Sequence, residues 1–165
     1  MTIRAGVLSD THLYGLNEDF LAACRQCFSD CTVIIHAGDL VNAAVLEAFS
    51  GKTVYAVSGN MCDSSSKRSL QSQLLFEVGG YAIGLAHGAG MGYDIEDRLW
   101  NIFPEADCII YGHTHRAVCH FHGEVLFLNP GSFQVSGPGR HGSSYAILEL
   151  GDSLQAKLHS YQKQP

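Results

Sequence analysis

Over the first sixty residues the apolar positions switch back and forth between two periods. Residues 5–9 (AGVLS) form an apolar run, residues 16–28 (LNEDFLAACRQCF) repeat their apolar positions at helical spacing behind a candidate cap at Asn17, and residues 32–39 (TVIIHAGD) are apolar again. Residues 41–49 (VNAAVLEAF) read as a second helix and 53–60 (TVYAVSGN) as a third strand. This βαβαβ order with short connections implies a parallel sheet built through right-handed crossovers. Residues 61–70 (MCDSSSKRSL) are polar, serine-rich and without periodicity, so a loop is expected there. Beyond them the pattern turns to paired strands: QLLFEV and YAIGLAH around Gly79-Gly80, then AVCHFH and EVLFLNP around Gly123-Glu124, and finally SYAILELG and SLQAKLHSYQ around Gly151-Asp152. A helix at 92–103 (GYDIEDRLWNIF) and a strand at CIIYG stand between the first two pairs. A parallel first half and an antiparallel second half suggest two sheets face to face with helices outside: a layered α/β/β/α sandwich of two mixed β-sheets flanked by helices.

Composition narrows this reading. The 165 residues suit a single domain over 1–165 with a substantial core, and the hydrophobic share of 46% with a charged share of 16% argues against disorder. A net charge of −6 gives no basic footprint for a nucleic-acid backbone, so dedicated nucleic-acid binding is not expected. No apolar run approaches the ~20 residues of a membrane span, and MTIRAGVLSD enters a strand directly, which gives an expectation of a cytoplasmic protein without membrane association. The six cysteines, in a chain of this size, are expected as free thiols, with Cys24 and Cys27 of CRQC as small core residues on one side of a helix.

Chemistry enters where the apolar runs end. LSDTH carries Asp10 and His12, HAGD carries Asp39, SGN carries Asn60, LAHG carries His87, and YGHTH carries His113 and His115. Ligands gather beyond the carboxyl ends of parallel strands, and Asp, Asn and His together are the donor mixture of a divalent metal of intermediate hardness. Gly38, Gly59 and Gly112, each just before a donor, are expected to let the backbone turn sharply. Alternation along an extended His113-Thr-His115 would send both imidazoles to the same side, where they could serve two neighbouring metals.

The ordered series DTH, GD, GN, HG and GHTH resembles the calcineurin-like metallophosphoesterases, and NPGS at 129–132 resembles their small bacterial and archaeal phosphodiesterase branch. The resemblance covers roughly residues 3–150. It implies that Asp10, His12 and His115 hold one metal, that Asn60, His87 and His113 hold a second, and that Asp39 bridges them. It implies also a two-metal, metal-hydroxide hydrolysis of a small or nucleotide-like phosphodiester, with Asn60 donating its amide to the phosphate. Manganese is the activator the family suggests, with Fe, Zn, Co or Ni tolerated by the same donors, and a homodimer or homotetramer is the family habit. The same fold resembles the Vps29-type retromer subunit, so a protein-interaction scaffold with a vestigial metal site is the rival class; the presence of His12 and His87 favours the enzyme.

Departures from the family pattern matter for the leaving group. Met61 follows Asn60 where larger members carry a histidine, and a methionine transfers no proton; Asp63, a metal-bound water or a nearby histidine would then have to help, or the esters would need good leaving groups. Ala89 in HGAG stands where many relatives have HGH. Arg140, in the SGPGRHG loop, is a candidate phosphate clamp or a solvated arginine. Cys62 reads equally as a thiol near metal and as a packed cysteine. His36 reads as a satisfied core histidine, and His120 and His122 as surface residues.

Overall fold

The computed structural model describes residues 1–136 and 142–163. Within them ten strands form two five-stranded sheets. The first comprises β1 (Ile3–Leu8), β2 (Val33–His36), β3 (Thr53–Ala56), β9 (Ser143–Leu150) and β10 (Leu154–Tyr161) in the order β10-β9-β1-β2-β3. The second comprises β4 (Gln73–Val78), β5 (Tyr81–Ala86), β6 (Cys108–Ile110), β7 (Ala117–His122) and β8 (Val125–Pro130) in the order β4-β5-β6-β8-β7. Both sheets are mixed. β1, β2 and β3 run parallel with Leu8 opposite His36 and His36 opposite Ala56, while β9 adds antiparallel to the other edge of β1.

The expected division into a parallel first half and an antiparallel second half is corrected here. β5, β6 and β8 are parallel at the centre of the second sheet, and the last hairpin returns to the first sheet. The hairpin signals were local, and a local signal does not say which sheet a strand joins.

Alternation along the strands builds three apolar layers. Val7, Val33 and Ile35 from one sheet meet Ile83, Leu85, Ile110 and Leu128 from the other between the sheets. Leu8, Ile34 and Ile147 point outward under α1 (Glu18–Phe28) with Phe20, Phe28, Phe49 and Phe133. Ile109, Tyr111 and Phe127 point outward under α3 (Ile95–Ile102) with Leu99 and Phe103. Central strands buried on both faces explain the near-continuous apolar runs.

Local chemistry fixes the element ends. The Asn17 side chain accepts from the Phe20 amide at 2.9 Å and caps α1, and Glu18 and Asp19 add negative charge to its first turn. Gly79 and Gly80, with φ of 62° and 83°, close the β4–β5 hairpin, as an I′ turn requires. Residues Ala43–Phe49, within the stretch read as a second helix, coil as a 3-10 helix behind an Asn42 cap. The stretch 61–70 is not simply a loop: it holds α2 (Ser64–Ser69), capped by Asp63. The six cysteines are free; Cys24 and Cys27 pack under α1 with thiol pKa values raised by burial, Cys27 to about 11. No helix among the described residues is long and apolar enough to cross a membrane.

Candidate metal centre

Five strand ends converge at one edge of the sandwich, and both sheets contribute. Asp10 and His12 follow β1, Asp39 follows β2 and Asn60 follows β3, while His87 follows β5 and His113 and His115 follow β6. Their donor atoms fall into two triads, Asp10–His12–His115 and Asp39–His87–His113, with the donors of each within 4.8 Å of one another. Asn60 joins the second triad through its Oδ1, 3.2 Å from His87 Nε2. Asp39 stands between the two: its Oδ2 lies 3.1 Å from His87 Nε2 and 3.8 Å from His12 Nε2.

The backbone route to this arrangement differs from the expected one. Of the six described non-glycine residues with positive φ, five are donors: Asp10, His12, Asp39, His113 and His115, at 50° to 67°. His113 and His115 are therefore not presented by alternation along an extended strand; left-handed backbone after β6 turns each toward its own triad. The glycines also act otherwise than expected. Gly38 does take a positive φ of 96°, but Gly59 and Gly112 are needed for space. A Cβ on Gly59 would lie 2.1 Å from Asp39 Oδ1, and one on Gly112 would lie 2.1 Å from Ser9 Oγ and 2.8 Å from Asp10 Oδ2.

Hydrogen bonds hold the donors in place. Asp10 Oδ2 accepts from Ser9 Oγ at 2.6 Å and from the His113 amide at 3.1 Å, leaving Oδ1 facing His115 Nε2 at 3.1 Å. Asp39 Oδ1 accepts from the Met61 amide at 2.7 Å and leaves Oδ2 inward. His87 Nδ1 lies 2.8 Å from the Ala37 carbonyl, so Nδ1 carries the proton and the Nε2 lone pair faces the triad. Burial alone would raise the pKa of both aspartates, but each is held below the usual value: Asp10 by His12, Ser9 and the charges of His87 and His115, Asp39 by His87, the Met61 amide and His12. Burial pulls the other way on His87, yet its pKa is raised because Asp39, Asp10 and the Ala37 carbonyl favour its cation.

These donors fit divalent metal. At His87 Nε2 the Asp39 carboxylate oxygen and the Asn60 amide oxygen converge at 3.1 and 3.2 Å, and with the ring neutral these three atoms are a nitrogen-and-oxygen donor set suited to a divalent cation. His12 Nε2 is buried without a hydrogen-bond partner, and the Asp10 and Asp39 oxygens stand 3.7 and 3.8 Å from it.

A supporting shell went unread in the sequence. Asn129 of NPGS donates through Nδ2 to the Gly112 carbonyl at 3.0 Å and Thr114 Oγ1 at 3.1 Å, pinning the GHTH turn, and Ser132 Oγ donates to the Asp10 carbonyl at 3.1 Å. The flanking residues Ser9 and Thr11 of LSDTH were the available signal. Thr11 Oγ1 lies 3.1 Å from Nε2 of fully buried His36, whose Nδ1 accepts from the Gly38 amide, confirming the reading of a satisfied core histidine. Burial lowers its pKa to about 4. Cys62 is buried with its Sγ accepting from the Gly59 amide, and Met61 projects into solvent. His120 is on the surface against Glu96, and Arg140 lies outside the described residues.

Asp63, considered above as a proton donor, is placed at the N-cap of α2. Its Oδ1 accepts from the Ser66 amide at 2.7 Å and its Oδ2 from Asn42 Nδ2 at 2.9 Å, and these bonds lower its pKa. A carboxylate spent on a helix cap and made more acidic is poorly suited to hold a proton for a leaving group.

A family profile described as the calcineurin-like phosphoesterase superfamily domain matches residues 3–153. The chain belongs to that superfamily. This phosphoesterase is 34% identical to a Methanocaldococcus jannaschii protein named "Probable metallophosphoesterase" over 161 residues, 95% of this chain and 81% of the relative. It is 26% identical to a protein named as a phosphodiesterase from the same organism, over 78% of this chain and 83% of that one. The phosphoesterase shares its fold with Entamoeba histolytica Vps29 solved with zinc, at a TM-score of 0.68, 20% identity, and coverage of 96% and 99% of the two chains. Its homologues make it a phosphoesterase enzyme of a metal-dependent family.

Proposed function

We infer that this enzyme hydrolyses a small phosphodiester at a binuclear centre, with Asp10, His12 and His115 holding one divalent cation, Asn60, His87 and His113 the other, and Asp39 both. The observation that carries the reading is the position of Asp39 Oδ2 between the two triads, facing His87 and His12 together. Two divalent cations held there would supply Lewis-acid charge to the phosphoryl group and acidify a water. Manganese is the first candidate, with iron, zinc, cobalt and nickel compatible with the same donors.

The chain's own residues do the rest. Ser9, the His113 amide, the Met61 amide and the Ala37 carbonyl fix which atom of Asp10, Asp39 and His87 faces inward. Asn60 is exposed at the rim with its Oδ1 toward His87, which leaves its Nδ2 to donate to a phosphate oxygen. With Met61 unable to carry a proton and Asp63 committed to capping, the reading favours esters whose leaving groups depart without protonation.

The Vps29 likeness supports the rival reading of a scaffold, and a zinc-bound Vps29 means that metal binding alone does not separate the two. Turnover does. Chelator-stripped protein with and without Mn²⁺ is assayed on bis(para-nitrophenyl) phosphate beside Asp39→Asn. Metal-dependent turnover lost in the variant is the expected result; a folded, metal-loaded protein that turns over no diester with any of the five metals would move the assignment to the scaffold.

A further inference from the structure

The segment after β3 carries a cation to the rim of the second triad. Asp63 caps α2, and the Lys67 amide donates to the Asp63 carbonyl at 2.9 Å to close the first turn. Helical side chains lean toward the N-terminus of their helix, which here is the chain arriving from Asn60. Lys67 follows that direction, and its Nζ donates to the Asn60 carbonyl at 2.9 Å. Buried Ser66, whose hydroxyl accepts from the Ala43 amide, holds the helix against the segment after β2.

No carboxylate among the described residues pairs with this ammonium, and one bond to a carbonyl leaves two of its three N–H groups able to donate elsewhere. Among the same residues Lys67 is the only lysine or arginine whose side chain bonds to a residue of the candidate centre. Its side chain is exposed on a flexible four-carbon stem, so the ammonium can turn from the carbonyl to an ester held beside Asn60. Its neighbours cannot take that part. Met61 projects into solvent and has no charge, and Asp63 is anionic and engaged as a cap.

We propose that Lys67 is a catalytic residue: its ammonium donates to the departing ester oxygen and stabilises the charge that develops there. In the reaction phosphorus gains a bond to the oxygen of water and loses its bond to the ester oxygen, which leaves with the electron pair as an oxyanion. The water releases one proton to solvent, and the departed oxyanion takes one from solvent. Lys67 keeps its own proton throughout and acts by charge alone, as an oxyanion donor does. This role rests on the phosphodiesterase reading and names the group that supports departure without protonation.

Two esters of equal charge make the test: methyl para-nitrophenyl phosphate and methyl phenyl phosphate. Nitrophenolate spreads its charge into the ring, whereas phenolate keeps more of it on the oxygen that an ammonium would meet. Lys67→Met, which keeps an unbranched stem and removes the charge, should lower kcat/KM for the phenyl ester by roughly tenfold to a hundredfold and for the nitrophenyl ester by about threefold at most, up to the low end of what one oxyanion donor supplies. Lys67→Arg should restore most of the phenyl rate. Arg68→Met, which removes a neighbouring exposed charge of α2, should leave the ratio of the two esters as in wild type. Mn²⁺ affinity of Lys67→Met by isothermal titration should match the parent. If Lys67 only anchors Asn60 or attracts an anionic substrate, Lys67→Met slows both esters by the same factor, and that result overturns the proposal while the phosphodiesterase reading stands. A ratio changed as much by Arg68→Met as by Lys67→Met overturns it too, because the effect would then belong to the general field of α2. If the Mn²⁺-loaded wild type hydrolyses neither ester, the phosphodiesterase reading fails and the role of Lys67 falls with it.

Discussion

Left-handed backbone at Asp10, His12, Asp39, His113 and His115 is costly for residues with a Cβ, on the order of 1 kcal/mol or more at each. Packing around these residues must supply that energy, and two glycines show how tight the packing is. A Gly59→Ala substitution places a Cβ 2.1 Å from Asp39 Oδ1 and 2.6 Å from its backbone nitrogen, so the carboxylate between the triads must move. The expected outcome is loss of Mn²⁺-dependent turnover and weaker metal retention by isothermal titration, with the circular dichroism spectrum kept. Gly15→Ala, at a position with open space around it, is the control and should behave as wild type; a Gly59→Ala protein that binds metal as the parent does would refute the close-contact argument. His36 gives a prediction of a different kind. Its pKa is about 4 in the fold against an ordinary 6.5, because burial penalises the cation. Between those values the unfolded chain binds the extra proton, so stability is fully present above pH 6.5 and falls as the pH drops toward 4, by about 3 kcal/mol over the window. Urea unfolding at several pH values should show this slope in the wild type and a shallower one in His36→Gln; equal slopes would mean that another group carries the proton.

At the scale of elements, α2 shows why parts of the chain were not legible. Ser64–Ser69 has no apolar stripe, and its helix depends on the Asp63 cap, the Asn42 amide behind it and buried Ser66, whose hydroxyl accepts from the Ala43 amide at 2.8 Å. These partners come from a segment some twenty residues earlier, which no local pattern announces. The same limit explains the misplaced last hairpin: its turn was readable, its partner strand β1 was not. Where the signal is local and repeated, as in α1 with its cap or the β4–β5 glycine pair, sequence and structure agree. The two roles considered for Asp63 separate by experiment. Asp63→Asn keeps a capping oxygen and should retain both thermal stability and the pH–rate profile, whereas Asp63→Ala should lower the melting temperature and leave the pH–rate profile in place. Disappearance of one limb of that profile in the asparagine variant would return Asp63 to the role of proton donor.

Across the whole molecule, the layered class and the candidate donors were readable, and the contacts that bring those donors together were not. The donors sit at strand ends and could be picked out by residue type and order, while their meeting depends on two sheets packing so that β1, β2 and β3 end beside β5 and β6. The supporting shell was hidden for the same reason: Asn129 lies 15 to 17 residues from the turn it pins, and Ser132 lies 122 residues from Asp10. One edge therefore joins β1, β2, β3, β5, β6 and the segment after β8, so a cation held there contacts most of the architecture. Such a ligand binds the folded state and not the unfolded chain, whose donors are scattered, and it stabilises the fold by mass action. At a free Mn²⁺ concentration a hundredfold above the dissociation constant the gain is about 2.7 kcal/mol per site, which for a chain of this size raises the melting temperature by roughly 5–10 °C. Calorimetry of chelator-stripped and Mn²⁺-loaded protein should show that rise. Asp39→Asn should lose most of it, because its carboxylate faces both triads, while His115→Ala should lose only part, because it belongs to one. Equal losses in the two variants would rule out a shared role for Asp39, and no rise in the wild type would overturn the proposed metal centre.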